Sequence, residues 1–410
     1  MRPTAPGSYW LDRDATPPRP PLAESVVADV VVVGGGIAGA FSALALAEGG
    51  ARVALLEGDR IGRGASGRNA GFLLAEAAET FAEVARTHGT PAARAVRAAG
   101  LATRVAVARI AATADVGLRV SGSLRLAQDA AEDEDFRESA RLVGAPLEHF
   151  DRTLLDRKGV PSADRTLDIA GALVDPEDGE VHPLRLVRAT LAKAEALGAL
   201  FFERSPVLDF EETADGLRVR TPSGSVTAAS LLVTTNAWIP GLLPSGPAVR
   251  PVRAQMLAAR VDPEPSWDRP VYAHRGQDYW RQLPDGTVLL GGLRRLGGAS
   301  EETDDARPAA PVQPGLDALL RHLVGPGPNV RVIARWAGTM GFTPDGLPAA
   351  GSAPGSDRVF VLGGFNGHGM GWGPGLATAL AERILRRVEA IDRTFDPSRA
   401  ALSVPTDGGR

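Results

Sequence analysis

The segment from Ala28 to Glu57 constrains this chain more than any other. It opens on a β-branched run, Val30-Val31-Val32-Val33, and continues Gly34-Gly35-Gly36-Ile37-Ala38-Gly39. An Ala/Leu-rich stretch runs from Ala40 to Glu48, Gly49-Gly50 stops it, and Val53-Ala54-Leu55-Leu56 ends on Glu57. The order is strand, glycine turn, helix, strand, acid. A continuous apolar run is what a parallel strand buried on both faces needs. Gly34 permits the tight turn, Gly36 lets backbone approach a pyrophosphate, and Gly39 lets the helix pack close to the strand. The first N–H groups of that helix, at Ile37 and Ala38, point at the phosphates. Glu57 stands about 20 residues on, where an acid accepts hydrogen bonds from ribose hydroxyls. A glycine turn alone is a weak signal; the strand before it, the helix after it and the acid make it a dinucleotide site. A membrane-spanning reading of Val30–Ala47 fails, because the triple glycine interrupts it and Glu48 closes it. An acid rather than an arginine at position 57 suits a free 2′-hydroxyl, hence FAD or NAD rather than NADP.

The fingerprint lies near the N-terminus of a 410-residue chain, which suits an FAD domain that later segments return to complete. That length serves two or three domain-sized units, or one cofactor domain with a large insertion. A net charge of −4 leaves no basic excess, so nucleic acid is not an expected partner. Cysteine is absent, which excludes disulfides, thiolate metal sites, cysteine nucleophiles and a cysteinyl-flavin link. The cofactor is therefore expected to be held non-covalently, in a cytoplasmic protein. No basic segment followed by an apolar one opens the chain, so neither a signal peptide nor a membrane span is expected. No metal-ligand cluster and no Ser-His-Asp constellation stands out. Lysine occurs only at Lys158 and Lys193, which nearly removes it as a catalytic group.

After Glu57 comes Gly58-Asp59-Arg60-Ile61-Gly62-Arg63-Gly64-Ala65-Ser66-Gly67-Arg68-Asn69-Ala70-Gly71. So many small residues with several arginines cannot be core; bare N–H groups and guanidinium forks suit phosphate. This stretch resembles the Gly-Ala-Ser-Gly-Arg-Asn-Gly-Gly segment of the D-amino-acid-oxidase-like FAD oxidoreductases. It is most similar to their γ-glutamylputrescine oxidase branch, whose leader the Tyr9-Trp10 pair and the Pro17-Pro18-Arg19-Pro20-Pro21 arm also resemble. The resemblance implies FAD, with Gly58, Arg63, Gly64, Ala65, Ser66, Arg68, Asn69, Ala70 and Gly71 along it. Tyr9-Trp10 is expected to anchor the arm on the protein surface.

Further along, Ala75 to Ala114 reads as helices broken near Gly89-Thr90-Pro91, and Gly117 to Ala127 as an alternating strand. Ala130 to Leu142 is a helix whose acidic run, Glu132, Asp133, Glu134 and Asp135, reads as a solvated face. Pro183 suits the first position of a helix running to about Gly198, and His182 before it suits a capping role more than a catalytic one. Leu200–Phe202 and Val207–Phe210 read as strands, and Gly216–Ala228 as a hairpin. Arg253–Ala259, Tyr279–Leu283 and Thr287–Leu290 read as antiparallel strands, Ser300–Pro311 as a surface loop, and Val312–Val324 as a helix.

Four more segments match the superfamily and imply cofactor contacts: Val207, whose backbone faces adenine; the Thr235-Asn236-Ala237-Trp238 turn; the Trp336-to-Pro348 return with Gly338, Asp345 and Gly346; and Gly364-Phe365-Asn366-Gly367-His368-Gly369-Met370. The last leads through Pro374 into a helix to about Val388, whose N-terminus would stabilise negative charge on the reduced flavin. The implied fold is α/β with an α+β substrate part: a Rossmann-like FAD-binding domain (1–75, 150–240, 330–410) with an inserted antiparallel-sheet substrate domain (76–149, 241–329).

The resemblance implies oxidation of a C–N bond of an amine by hydride transfer to flavin, giving an imine that hydrolyses. Sarcosine-type oxidases hold a carboxylate with an arginine after the second-strand loop and a lysine after Gly-His-Gly; here Gly71-Phe72 and Met370-Gly371 stand there. Glycine-oxidase-type enzymes place an arginine where Met340 stands. A bidentate arginine is the usual carboxylate clamp, so amines without an α-carboxylate are favoured over α-amino acids. Arg294, after Gly291-Gly292-Leu293, takes the neighbourhood of an oxygen-activating lysine and can supply charge or a clamp. His368 is the most suggestive titratable group. His368 and Arg294 are the catalytic candidates, and Phe72, Tyr279, Trp280 and Met340 the candidate walls of a substrate pocket. The partners are then a small amine and oxygen or another electron acceptor. Open alternatives are a glycine-, sarcosine- or D-amino-acid-type oxidase or dehydrogenase, a biosynthetic flavoprotein acting on another bond, and an FAD-binding subunit without turnover.

Overall fold

A computed structural model describes residues 7–76, 78–154, 169–214, 216–386 and 391–403. Val30–Val33 forms an interior strand of a six-stranded sheet. The order is Ala349–Ser352, Val359–Gly363, Ser230–Val233, Val30–Val33, Val53–Leu56, Leu200–Phe202. Its pairs are parallel, with Val32 opposite both Leu232 and Leu55, except for the antiparallel edge strand Ala349–Ser352. Side chains alternate between two covering layers. Val30, Val32, Val53, Leu55 and Leu232 join a core with the helices Ile37–Glu48, Pro183–Ala196 and Gly369–Arg386. Val31, Val33, Ala54, Leu56, Leu231 and Val233 join another with strands Gly216–Arg220 and Ser225–Ala228 of a four-stranded sheet. Both faces are covered, so no position in the run tolerates a polar side chain; each Val or Leu buried there contributes about 1.5–3 kcal/mol. A Cβ at Gly39 would sit 1.9 Å from the Gly34 carbonyl oxygen, so the first helix meets the glycine turn at backbone contact.

The second large layer is an eight-stranded sheet. Its order is Asn329–Phe342, Arg250–Asp262, Val288–Gly291, Asp278–Gln282, Val271–Ala273, Ser123–Ala127, Gly171–Asp175, Glu148–Asp151. It is antiparallel apart from the Val271–Ala273 pairing with Ser123–Ala127. Again the alternation sorts side chains. Leu257, Ala259, Trp280 and Leu290 face the helix Val312–Val324. Met256, Ala258, Leu289 and Trp336 face the other way, with Phe72, Tyr272 and Tyr279.

Sheet membership departs from the expected division of the chain. Gly171–Asp175 and Asn329–Phe342 belong to the eight-stranded sheet, so boundaries at 150 and 330 cut through it. The helices Phe81–His88 and Thr90–Ala111, expected in the inserted part, place Phe81, Val84, Val96 and Val107 in the core that covers Val30 and Val32. The acidic run on Ala130–Val143 is also not a solvated face. Glu132, Asp133 and Asp135 are buried, and only Glu134 is exposed. Glu132 accepts from the N–H groups of Gln128 and Arg275 at 2.9 Å each, Asp133 bonds His149 Nε2 at 2.7 Å, and Asp135 pairs with Arg86 and Arg275. The strand read over Gly117–Ala127 is confined to Ser123–Ala127, and Val120 is exposed.

The last helix begins at Gly369, ahead of Pro374 rather than after it, so Pro374 lies inside the helix and its missing N–H leaves the Met370 carbonyl without its i→i−4 donor. Residues 387 and 388, the expected end of that helix, lie outside the described residues. His182 is the N-cap of Pro183–Ala196, its Nδ1 accepting from Arg185 N at 3.2 Å. Among the described residues no helix is long and apolar enough to cross a membrane.

Candidate active site

The carboxyl ends of the parallel strands open onto one cleft of about 1800 Å³, closed on its far side by the eight-stranded sheet. Ligands of doubly wound sheets bind at such strand ends. Ordinary small-molecule pockets span about 300–1,000 Å³, so the cleft has room for a dinucleotide and a substrate together.

One end is lined by Glu57, Gly58, Pro206, Val207 and Pro222. Glu57 Oε2 accepts from Gly35 N at 2.7 Å and Oε1 from Asp59 N at 2.8 Å, which fixes the carboxylate at the lip of the turn. Burial is the main influence on its pKa and pushes it up. Gly34 takes φ +111°, a conformation only glycine holds without strain. Ser66 Oγ accepts from Ile37 N at 2.8 Å and so occupies one free donor of the helix terminus. Gly36 and Ala38 line the cleft beside it.

The segment Arg63–Gly71 lines the middle of the cleft, but its polar side chains mostly hold the loop itself. Arg68 donates to the carbonyls of Arg63 (2.9 Å) and Ala337 (3.0 Å), and burial brings its pKa down to about 10. Asn69 donates to the carbonyls of Ala65 and Ser66 and accepts from Gly71 N at 2.7 Å. The N-terminal leader braces the same loop: Trp10 Nε1 donates to Asn69 O at 2.8 Å and Ser8 Oγ to Gly67 O at 2.5 Å. Tyr9 and Trp10 are accordingly buried.

Two asparagines in the left-handed region join the returning segments. Asn236 (φ +50°) accepts from Gly364 N at 2.9 Å. Asn366 (φ +51°) accepts from Thr343 N at 2.9 Å and donates to Thr343 Oγ1 and to the Gly364 carbonyl. Asp345 is held by a two-pronged contact from Arg399, at 2.7 and 2.9 Å. Thr235, Trp238, Gly338, Gly346, Gly367, Gly369 and Met370 line the cleft as well. Gly39 and Gly364 do not. Gly39 serves helix–turn packing, and a Cβ on Gly364 would strike Thr343 Cγ2 at 2.6 Å behind the lining.

The other end is aromatic. Phe72, Tyr272 and Tyr279 form a wall with ring centroids 5.3, 6.0 and 6.1 Å apart. His368 meets Tyr272 edge-on at 6.2 Å and tilts over Trp372 at 5.2 Å. Its Nδ1 lies 3.1 Å from the Asn366 carbonyl, which can only accept, so Nδ1 carries the proton. Nε2 is left as an acceptor with no partner among the described residues. Burial, and then the charge of Arg125, push the His368 pKa down to about 4, so the ring is neutral at pH 7. Burial pushes the Tyr272 phenol up to about 12.

Met340 closes this end above Gly367. Arg294 lines it too, its guanidinium 4.7 Å from the Phe342 ring centre. Trp280 does not: it is fully buried on the opposite face of its strand, 6.4 Å from Trp267. Period-two alternation sends Tyr279 to the cleft and therefore Trp280 away from it.

Tyr272, Trp372 and Arg399 escaped the sequence reading. Tyr272 is the register partner of Tyr279, a signal visible only once the two strands are paired. Trp372 follows His368 by one helical turn, and its backbone N–H bonds the His368 carbonyl at 3.1 Å. Among the described residues no group of three or more His, Asp or Glu is placed to hold a metal ion.

Comparison with known proteins agrees with this geometry. The family described as FAD dependent oxidoreductase matches residues 29–383. The chain is 30% identical to gamma-glutamylputrescine oxidoreductase of Escherichia coli (strain K12), over 95% of this chain and 90% of that protein. It is 28% identical to glycine oxidase of Geobacillus kaustophilus (strain HTA426), over 89% of this chain and 94% of the relative. The crystal structure of glycine oxidase from Geobacillus kaustophilus superposes with a TM-score of 0.76 at 26% identity, covering 91% of this chain and 99% of the other.

Proposed function

This chain belongs to the FAD dependent oxidoreductase family, and from that premise we propose that it oxidises the carbon–nitrogen bond of a small amine lacking an α-carboxylate. One observation carries the substrate class: Phe72, Met340 and Gly371, in the cleft wall near His368, bring no charged side chain to clamp a carboxylate at the reacting carbon, and Arg125, whose charge reaches His368, does not line the cleft. A carboxylate buried there without a partner would cost several kcal/mol.

The residues fit FAD. The glycine turn at Gly34–Gly36, the carboxylate of Glu57 and the unpartnered Thr235 Oγ1 all border the cleft, and they would hold the dinucleotide between Val207 and His368. Bound FAD supplies the acceptor for the hydride that leaves the carbon next to nitrogen. The chain's own groups do the rest. Phe72, Tyr272 and Tyr279 exclude water from the reacting end. Neutral His368 offers Nε2 to a substrate N–H, which orients the nitrogen with its lone pair free. The imine product hydrolyses to a carbonyl compound. The electrons pass on to oxygen or another acceptor. A cytoplasmic location fits a chain without cysteine.

A panel of alkylamines, N-methylamines, glycine, sarcosine and D-amino acids, followed by anaerobic flavin reduction, tests the reading. The amines should reduce fast and the amino acids slowly; the reverse order would replace the proposal with an amino-acid oxidase. The rate at limiting amine should rise with pH, because a protonated nitrogen has no lone pair to assist hydride departure. His368 titrates far below neutrality, so the rising limb should follow the pKa of each amine. A limb fixed at one pH for every amine would assign it to the protein instead.

A further inference from the structure

We propose that Arg294 binds a carboxylate that the substrate carries away from its reacting nitrogen. The inference rests on the amine-oxidation reading and narrows it to amines with a remote anionic end.

The twin arginines after Leu293 have different fates. Arg295 Nη1 lies 2.9 Å from both oxygens of Asp278. Asp278 is buried and also accepts from Leu293 N at 2.8 Å, pinning a turn in which Gly292 takes φ +124° and Leu293 φ +55°. That pinned turn presents Arg294 to the cleft. There the guanidinium lies over Phe342 and has no hydrogen bond or ion pair to any described residue. The nearby acids are committed elsewhere: Glu301 to Arg253 and Gln255, Glu302 to Arg250. The other arginines of the cleft are engaged: Arg63 with Asp59, Arg68 with two carbonyls, Arg275 with Glu83, Arg307 with Asp305. Only Arg204, exposed at the Val207 end, resembles Arg294 in having no side-chain partner among the described residues.

A desolvated cation without a counter-charge is unfavourable, and an aromatic face offsets only part of that cost. A stacked guanidinium still presents its N–H edge, the geometry that takes a carboxylate with two parallel bonds. Its place fixes where the anion sits on the substrate. Contacts run from His368 to Tyr272, from Tyr272 to Tyr279, and the charge of Arg294 acts on Tyr279. Among the described residues the guanidinium and the imidazole share no contact, and the contacts that link them pass through Tyr279 and Tyr272. A ligand spanning that wall has its nitrogen near His368 and its carboxylate several bonds away.

The test uses the FAD-loaded protein with ω-amino acids from β-alanine to aminohexanoate, and with the alkylamines of matching length. At one optimal length the amino acid should half-saturate flavin reduction at about 10–100-fold lower concentration than its alkylamine, the range for one charge-assisted pair. Arg294→Met should erase that advantage, read as the ratio of amino-acid to alkylamine half-saturation within the variant, so that any loss common to both substrates cancels. Arg294→Lys should keep part of it, as a point charge in place of a fork. Butyrate binding, followed by perturbation of the flavin spectrum without turnover, should weaken at least tenfold in Arg294→Met. An advantage that survives in Arg294→Met, or is absent from the native protein at every length, overturns the proposal. So does a variant altered only in reoxidation by oxygen. If no amine reduces the flavin, the amine reading fails by itself, and butyrate binding still decides whether Arg294 is an anion site.

Discussion

Gly36→Val is expected to give a folded chain that carries no FAD. Gly36 has φ −84° and ψ −168°, extended backbone that any residue adopts, so the substitution brings no backbone strain. A Cβ there would stand 3.0 Å from Ser66 Oγ, a contact relieved by a small hydroxyl shift. Valine's methyl groups then fill the space beside the helix N-terminus that a pyrophosphate needs. Far-UV circular dichroism should match the native chain, while the flavin-to-protein ratio after purification falls to background. Stoichiometric FAD in a folded Gly36→Val would show that the glycine turn does not hold the cofactor. Gly39→Val is the contrasting control. Its Cβ would lie 1.9 Å from a carbonyl oxygen, and the fold itself should fail.

Glu301→Ala should destabilise the chain by about 3–5 kcal/mol, the cost of stripping a buried charge of its partner. Glu301 is 1% exposed and accepts from Arg253 Nε (2.9 Å), Arg253 Nη2 (2.8 Å) and Gln255 Nε2 (3.0 Å). Arg253 also donates to the carbonyls of Ser300, Asp305 and Arg307, so one guanidinium ties down the loop that supplies Asp304–Arg307 to the cleft. Removing the carboxylate leaves that cation buried and unpaired. Chemical denaturation reads the loss. Glu301→Gln, which keeps acceptor oxygen but not charge, should fall between the two. An unchanged midpoint for Glu301→Ala would mean the pair is dispensable.

The Glu301 case also shows where sequence reading stops. Ser300–Pro311 has the acids and prolines of a surface loop, and nothing local says that one acid turns inward to meet Arg253, 48 positions earlier in the chain. The same holds for Glu132, Asp133 and Asp135, buried because Arg275, His149 and Arg86 arrive from distant segments. Local chemistry was legible where it is self-sufficient. The Val30–Glu57 unit needs only strand burial, turn glycines and a helix terminus, and it folds as read. Pro183 and His182 begin a helix as their types predict. Tyr279 and Trp280 mark the boundary. Alternation says that one faces the cleft and the other does not, yet only the position of the helix Val312–Val324 decides which face is which. The family motifs located the loops at the cleft. They did not reveal that Ser66, Asn69, Asn236 and Asn366 spend their polar atoms on neighbouring backbone.

The central claim is that this cleft couples a C–H bond next to nitrogen to bound FAD. The most direct measurement is anaerobic mixing of the FAD-loaded protein with an alkylamine and with the same amine deuterated at the carbon beside nitrogen. The account predicts that the visible flavin absorbance bleaches, and that deuterium slows the bleaching several-fold. Bound FAD whose colour no amine changes would contradict it.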